Sequence, residues 1–243
     1  MRRWFALFAV VLVAGCQTMM SPATISRERI AEIVASPDRS AADRTNDQRR
    51  RPESMLAFIG LRPGMVAMDI SAAGGYTTEL IARAVGPAGK VYGQVPANAQ
   101  RIEARAKNPA VGHIVPVVRS FDDPVPPEIS ANALDLVTLM FNYHDFGHWG
   151  VDRARLNRAV FAALKPGGIY VIADHSGRPG TGISESGTLH RIEETFLRAE
   201  VEAAGFKLAE EGNFLRNPND PRDRNTPEPP MPKDEFVLKF IKP

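Results

Sequence analysis

The sequence predicts an α/β fold: a doubly wound, mostly parallel seven-stranded sheet whose last strand runs antiparallel. Three observations carry this. Residues 65–70 form a short apolar run, residues 71–75 are all small, and Leu80, Ile81 and Val85 continue at helical spacing, which reads as strand, tight turn and helix. Apolar strand-like runs then alternate with helix-like stretches along the chain, the pattern of a parallel sheet covered on both faces. The last two strand-like runs have no helix between them, so they pair antiparallel.

Taken in order, residues 25–35 place Ile25, Ile30, Ile33 and Val34 behind the cap residue Ser26, which predicts a helix. Residues 36–51 are highly charged and wrap the surface, with Arg49, Arg50 and Arg51 as a solvated face beside Asp43 and Asp47. Residues 52–58 form a helix with Pro52 in its first turn. The helix after the small-residue turn stops at Gly86-Pro87-Ala88-Gly89. Further strands are expected at 90–95, 113–118, 133–141, 169–173, 206–215 and 235–241, and further helices at 100–106, 152–164 and 188–204. The sixth strand runs parallel to the earlier ones, so the proline-rich stretch 217–234 leaves it on the ligand side of the sheet and is a candidate lid or wall.

The stretch Val66-Ala67-Met68-Asp69-Ile70-Ser71-Ala72-Ala73-Gly74-Gly75 resembles the first motif of the class I S-adenosylmethionine (SAM)-dependent methyltransferases, an apolar strand ending in an acid and followed by Gly-x-Gly-x-Gly. Asp69 takes the acidic place, Ser71 and Ala73 stand at the first two glycines, and Gly75 is the third. The turn Leu164-Lys165-Pro166-Gly167-Gly168 and the antiparallel ending extend the resemblance from residue 52 to the C-terminus. In detail the chain is similar to a group of mostly exported bacterial methyltransferases with runs like Asp174-His175, Leu189-His190-Arg191-Ile192 and Phe236-Val237-Leu238-Lys239-Phe240. The resemblance implies the class I methyltransferase, Rossmann-like fold, SAM as cofactor, and transfer of its methyl group to an unidentified acceptor.

The start of the chain is set apart. Arg2 and Arg3 precede an apolar stretch too short to span a bilayer, and Val13-Ala14-Gly15-Cys16 resembles a lipoprotein lipobox. That implies a signal peptide at residues 1–15, lipid on Cys16, a tether and N-terminal helix at 16–51 and the methyltransferase-like domain at 52–243. Gln17 in place of Asp points to the outer membrane, facing the periplasm. Cys16 is the one cysteine in the chain, so disulfides and cysteine-based metal sites are excluded. Removing Arg2 and Arg3 also brings the formal charge from +2 to zero, which argues against a nucleic-acid partner.

By the resemblance, Asp69, Ser71, Ala73, Gly74 and Gly75 cradle the cofactor, Asp122 or Asp123 meets adenine, and Asn142 closes the cofactor side. The acid expected at the end of strand two is replaced by Val95, so Gln94, about 20 residues beyond the turn, is the candidate ribose partner. Tyr143, His144, Asp145, Asp174 and His175 fall at the ends of strands four and five, where a His–Asp pair aligns a nucleophile or removes its proton. A metal set of His144, His148 and His175 is weighed and not adopted. Two alternatives stay open: a non-catalytic binding lipoprotein that keeps a degenerate fold, and a hydrolase or metal enzyme using His144 and His175.

Overall fold

The computed structural model describes residues 23–243, so the signal segment and Cys16 lie outside it. Seven strands are present among the described residues: β1 (Val66–Ile70), β2 (Lys90–Val95), β3 (Ile114–Val118), β4 (Leu134–Met140), β5 (Leu164–His175), β6 (Lys207–Gly212) and β7 (Glu235–Ile241). The helices are α1 (Arg27–Ala35), α2 (Ala41–Arg50), α3 (Pro52–Ile59), α4 (Tyr76–Val85), α5 (Gln100–Ala106), α6 (Asp145–His148), α7 (Arg153–Ala163) and α8 (Glu194–Ala203).

The strands lie in the order β3-β2-β1-β4-β5-β7-β6. β1 to β5 pair in parallel, and β7 inserts antiparallel between β5 and β6. This is the sheet expected of a class I methyltransferase fold. The central strands are apolar on both sides because both faces are covered. Ile30, Ile33, Leu56, Ile81 and Ile102 bury one face beneath α1, α3, α4 and α5. Leu156, Val160, Leu197 and Val201 bury the other beneath α7 and α8. The strand order reverses between β1 and β4, and the crevice outside their C-terminal ends is where open α/β sheets bind ligands.

Beyond the unexpected short helix α6 and the start of β5 at Leu164 instead of residue 169, two elements differ most from expectation. The charged segment before Pro52 holds a ten-residue helix, α2, capped by Ser40, which accepts from the backbone N–H of Asp43. Its composition carries almost no apolar stripe, so it docks by charge instead. Asp43 receives Arg105, Asp47 receives both Arg39 and the Tyr76 hydroxyl, and Arg49 reaches Glu235. Of the three arginines expected on a solvated face, Arg49 and Arg51 are exposed, whereas Arg50 is not: its guanidinium lies 3.9 Å from the centre of the Phe141 ring, a flat cation on an aromatic face. The helix expected from residue 188 begins at Glu194. His190 is left-handed at φ 51°, and Arg191 is fully buried, donating to the Ser176 carbonyl and pairing with Asp220 at 2.9 Å. Those anchors hold the preceding residues out of helical geometry.

Asp69 is a brace in this fold. Its carboxylate accepts from Thr78 of α4 at 2.6 Å and Thr138 of β4 at 2.8 Å, so it ties β1 to both neighbours and does not face the crevice. Burial pushes its pKa up to about 6, against the pull of the two threonine hydroxyls. A raised carboxyl pKa means the fold favours the protonated form. The stability this group contributes is complete below about pH 4 and is lost as pH rises through about 6. We predict that Asp69→Asn removes this pH dependence. The stability of the variant relative to wild type, measured by urea unfolding, rises by about 2–3 kcal/mol between pH 4 and pH 7.5, at about 1.4 kcal/mol per unit of pKa shift. A difference that stays flat across that range contradicts the assignment.

Candidate functional site

The turn after β1 keeps an unusual backbone. Ser71, Ala73 and Gly75 are left-handed, with φ of 58°, 49° and 79°. These are the three places where the resembling motif has glycine. A non-glycine residue in this region costs about 1–2 kcal/mol, so the turn holds strain at Ser71 and Ala73. Three contacts secure it. The Ser71 N–H donates to Gln94 Oε1 at 2.9 Å, the Ala72 N–H donates to the Gln94 carbonyl at 2.8 Å, and the Ser71 hydroxyl donates to Asn142 Oδ1. Behind the turn, Arg105 Nε donates to the Gly74 carbonyl at 2.6 Å. A side chain at Gly74 would meet the Arg101 guanidinium, and one at Gly75 would meet Ile102 and Arg105. The two glycines thus serve close packing against α5 as well as the turn.

Gln94 corrects the sequence expectation. Its side chain is fully buried, with Oε1 taken by Ser71 and Nε2 donating to the Arg119 carbonyl at 2.6 Å. It braces the turn against the β3 exit, and its full burial keeps it away from a ribose hydroxyl. Val95 beside it is buried and apolar. Asp122 and Asp123 stand half-exposed after β3. Asp123 receives Arg119 at 2.6 Å and Arg155 at 3.2 Å, while Asp122 lies 3.6 Å from Arg155. Next to them Phe121 stacks on Trp149, centroids 5.8 Å apart and rings 14° from parallel, and Trp149 is half exposed. This aromatic pair was not found from the sequence, since nothing local joins residues 121 and 149.

At the end of β4, Phe141 is also left-handed, at φ 61°. Asn142 follows, and its Nδ2 donates to Asp145 Oδ2 at 2.7 Å. Tyr143 turns the other way. It is fully buried, and its hydroxyl bonds Asn157 and Glu200, so the catalytic role expected for it is not supported by its position. His144 is fixed at both ring nitrogens: Nδ1 lies 2.5 Å from Asp174 Oδ1 and Nε2 lies 3.1 Å from Asp145 Oδ1. Burial opposes charge on this ring, but the Asp174 carboxylate and the bonds to Asp145 and Asp174 outweigh it and raise the pKa to about 9. Asp174 also accepts the backbone N–H groups of His144 and His175. Burial likewise opposes charge on Asp145, yet bonds from His144 and His190 hold it at about 2.

The structure brings His190 into this cluster, with Nδ1 2.8 Å from Asp145 Oδ1. His148 sits beside it, Nδ1 bonded to Ser186 Oγ at 3.0 Å and 3.9 Å from Asp145. His175 is left out. Burial drives its pKa well down, and its Nδ1 stands 3.0 Å from Glu235 Oε1 without hydrogen-bond geometry. It packs instead between Phe141 and His144. Beyond it opens a cavity of about 680 Å³ lined by Arg49, Arg51, Arg216, Met231, Lys233 and Glu235, with the segment after β6 as one wall.

No family model matches the chain. Among solved structures, a SAM-dependent methyltransferase from Aquifex aeolicus superposes with a TM-score of 0.62 at 16% identity, covering 90% of this chain and 100% of that one. An arsenic(III) S-adenosylmethionine methyltransferase from Chlamydomonas reinhardtii gives 0.52 at 16% identity, over 74% of this chain and 64% of that one. The 4+2 cyclase SpnF gives 0.61 at 17% identity, over 84% and 82%. At such identities the likeness establishes the fold and leaves the chemistry to the site.

Proposed function

We propose that the chain is a SAM-dependent methyltransferase held to the cell envelope by lipid at Cys16. The observation that carries the reading is the run of left-handed residues Ser71, Ala73 and Gly75 at the strand-order reversal, bonded directly to Asn142. A strained backbone kept at two non-glycine positions fits a turn shaped for a ligand. Ala73 is exposed at its crest, so the amino-acid end of the cofactor can approach there. Residues 71–75 and Asn142 would hold that end. The Phe121–Trp149 face and Asp122 would hold the adenine. When bound, the cofactor supplies an electrophilic methyl group on a sulfonium.

The chain's own residues align the acceptor. His190 is the most exposed ring around Asp145, while His144 is buried and occupied at both nitrogens. The cavity beyond His175 carries Arg49, Arg51, Arg216 and Lys233 against Glu235, a surplus of cations that suits an acceptor with an anionic group. Transfer then depends chiefly on positioning. The methyl acceptor itself is small or unidentified, with no nucleic acid implied.

One observation favours the second reading, a non-catalytic binding lipoprotein. Gln94 is locked and Val95 is apolar, so the ribose lacks its charged partner. Calorimetry of the full chain in detergent with SAM and S-adenosylhomocysteine separates the two. The methyltransferase reading predicts one site per chain. Asn142→Ala should weaken it by about tenfold or more, because the turn loses the bond that positions Ser71, equivalent to about 1.4 kcal/mol, with the far-UV spectrum unchanged. No binding by wild type hands the function to the binding reading. The anchor has its own test: membrane-extracted wild type carries acyl mass on Cys16 and Cys16→Ala accumulates as unlipidated precursor, whereas a mature mass without acyl chains removes that claim.

A further inference from the structure

Outside the cofactor turn, the densest group of ligating atoms is the cluster at the β4 and β5 exits. The ligating atoms of His144, Asp145 and His190 lie within 4.8 Å of one another. We propose that His144 Nε2, Asp145 Oδ1 and His190 Nδ1 form a binding site for a divalent transition-metal ion, with a position open to the crevice. The inference goes beyond the methyl-transfer reading and does not depend on it.

Each ligand is aimed by a second group. Asp174 Oδ1 takes His144 Nδ1 at 2.5 Å, which leaves Nε2 directed at Asp145. This is the carboxylate–histidine pairing that orients metal-bound imidazoles. Asn142 occupies Asp145 Oδ2, so it is Oδ1 that meets the His144 and His190 rings. His190 is set by its left-handed backbone and by the buried neighbour Arg191, whose guanidinium is held by Ser176 and Asp220. A histidine in that backbone region is uncommon, and the strain is maintained by the anchored residues around it.

The spacing is close to what an ion needs. Ligands at about 2.0–2.2 Å from a tetrahedral ion are about 3.3–3.5 Å apart. The observed separations to Asp145 Oδ1 are 3.1 Å from His144 and 2.8 Å from His190, and the three ligating atoms lie within 4.8 Å of one another, so the ligands reach an ion by side-chain adjustments of about half an ångström. A metal ion would take the place of the protons these rings now share with the carboxylates. Among the described residues, no lysine or arginine pairs with Asp145 or Asp174, and only imidazoles face the two carboxylates. Two imidazoles and one carboxylate suit zinc, iron(II) and their first-row neighbours, and disfavour magnesium and calcium. His148 stays with Ser186, so three protein ligands leave room for water or an acceptor group.

The test uses Zn²⁺ as the probe on the full chain in detergent, stripped with chelator and free of SAM. One Zn²⁺ per chain is expected, and Co²⁺ in its place should give visible ligand-field bands. His190→Ala should lower Zn²⁺ affinity by at least about a hundredfold with the far-UV spectrum and the urea midpoint unchanged, and His190→Asn, which accepts the left-handed backbone, should do the same. Asp174→Asn should keep the stoichiometry and cost about 10–100-fold, acting through the orientation of His144. His113→Ala, whose ring bonds the Ala82 carbonyl on the far side of α4, should change nothing. A wild-type affinity weaker than about 100 μM, or one that His190→Ala leaves unchanged, overturns the site, the cluster then being joined by protons alone. SAM binding is measured separately, so failure of one reading leaves the other standing.

Discussion

The arrangement depends on a single side-chain amide. Asn142 receives the Ser71 hydroxyl on its oxygen and donates from its nitrogen to Asp145. Because the two ends of an amide differ in kind, those partners fix its orientation. The turn after β1 and the cluster after β4 are thereby held as one unit across the strand-order reversal. Left-handed residues on both sides, Ser71 and Phe141, store strain that this bond and its neighbours must offset. From Asp145 the network continues through His144 to Asp174, so the ends of β1, β4 and β5 are joined in series.

A second constraint is electrostatic. The helix α2 crosses the ligand side of the sheet and reaches Tyr76, Phe141 and Glu235 through charged side chains. Exposed ion pairs contribute little, but these are half-buried and several share one partner, as Asp43 and Glu79 share Arg105. Burial and the Arg49 charge beside it lower the Arg50 pKa to about 10, which leaves the guanidinium charged at neutral pH. The N-terminal segment is therefore a fitted part of the crevice wall, held by charge where the sheet itself is held by apolar burial.

The fold was legible because its signals are local and periodic. The strand at 66–70, its small-residue turn and the helix-free passage from β6 to β7 all read directly. α2 was missed because it lacks an apolar stripe, although Ser40 three residues before Asp43 carried a capping signal. Site positions were legible wherever strand ends alone determine them, as for Asn142, His144, Asp145 and Asp174. Side-chain direction was not legible. Tyr143 and His175 are adjacent in sequence to His144 and Asp174, yet Tyr143 turns to Asn157 and His175 packs between Phe141 and His144, and Gln94 spends both ends of its amide on the backbone. The contacts of Ser186, Trp149 and Glu235 come from tertiary neighbours up to dozens of residues away, which no local pattern encodes.

The central claim is that the turn and the cluster form one coupled unit through Asn142. A double-mutant cycle on stability, Ser71→Ala with Asp145→Ala in metal-free protein, tests it most directly. The two residues do not touch, so independent sites would give additive losses. The account predicts a coupling of about 0.5–1 kcal/mol or more, abolished when the cycle is repeated in an Asn142→Ala background. Additivity within about 0.3 kcal/mol in the wild-type background would contradict it.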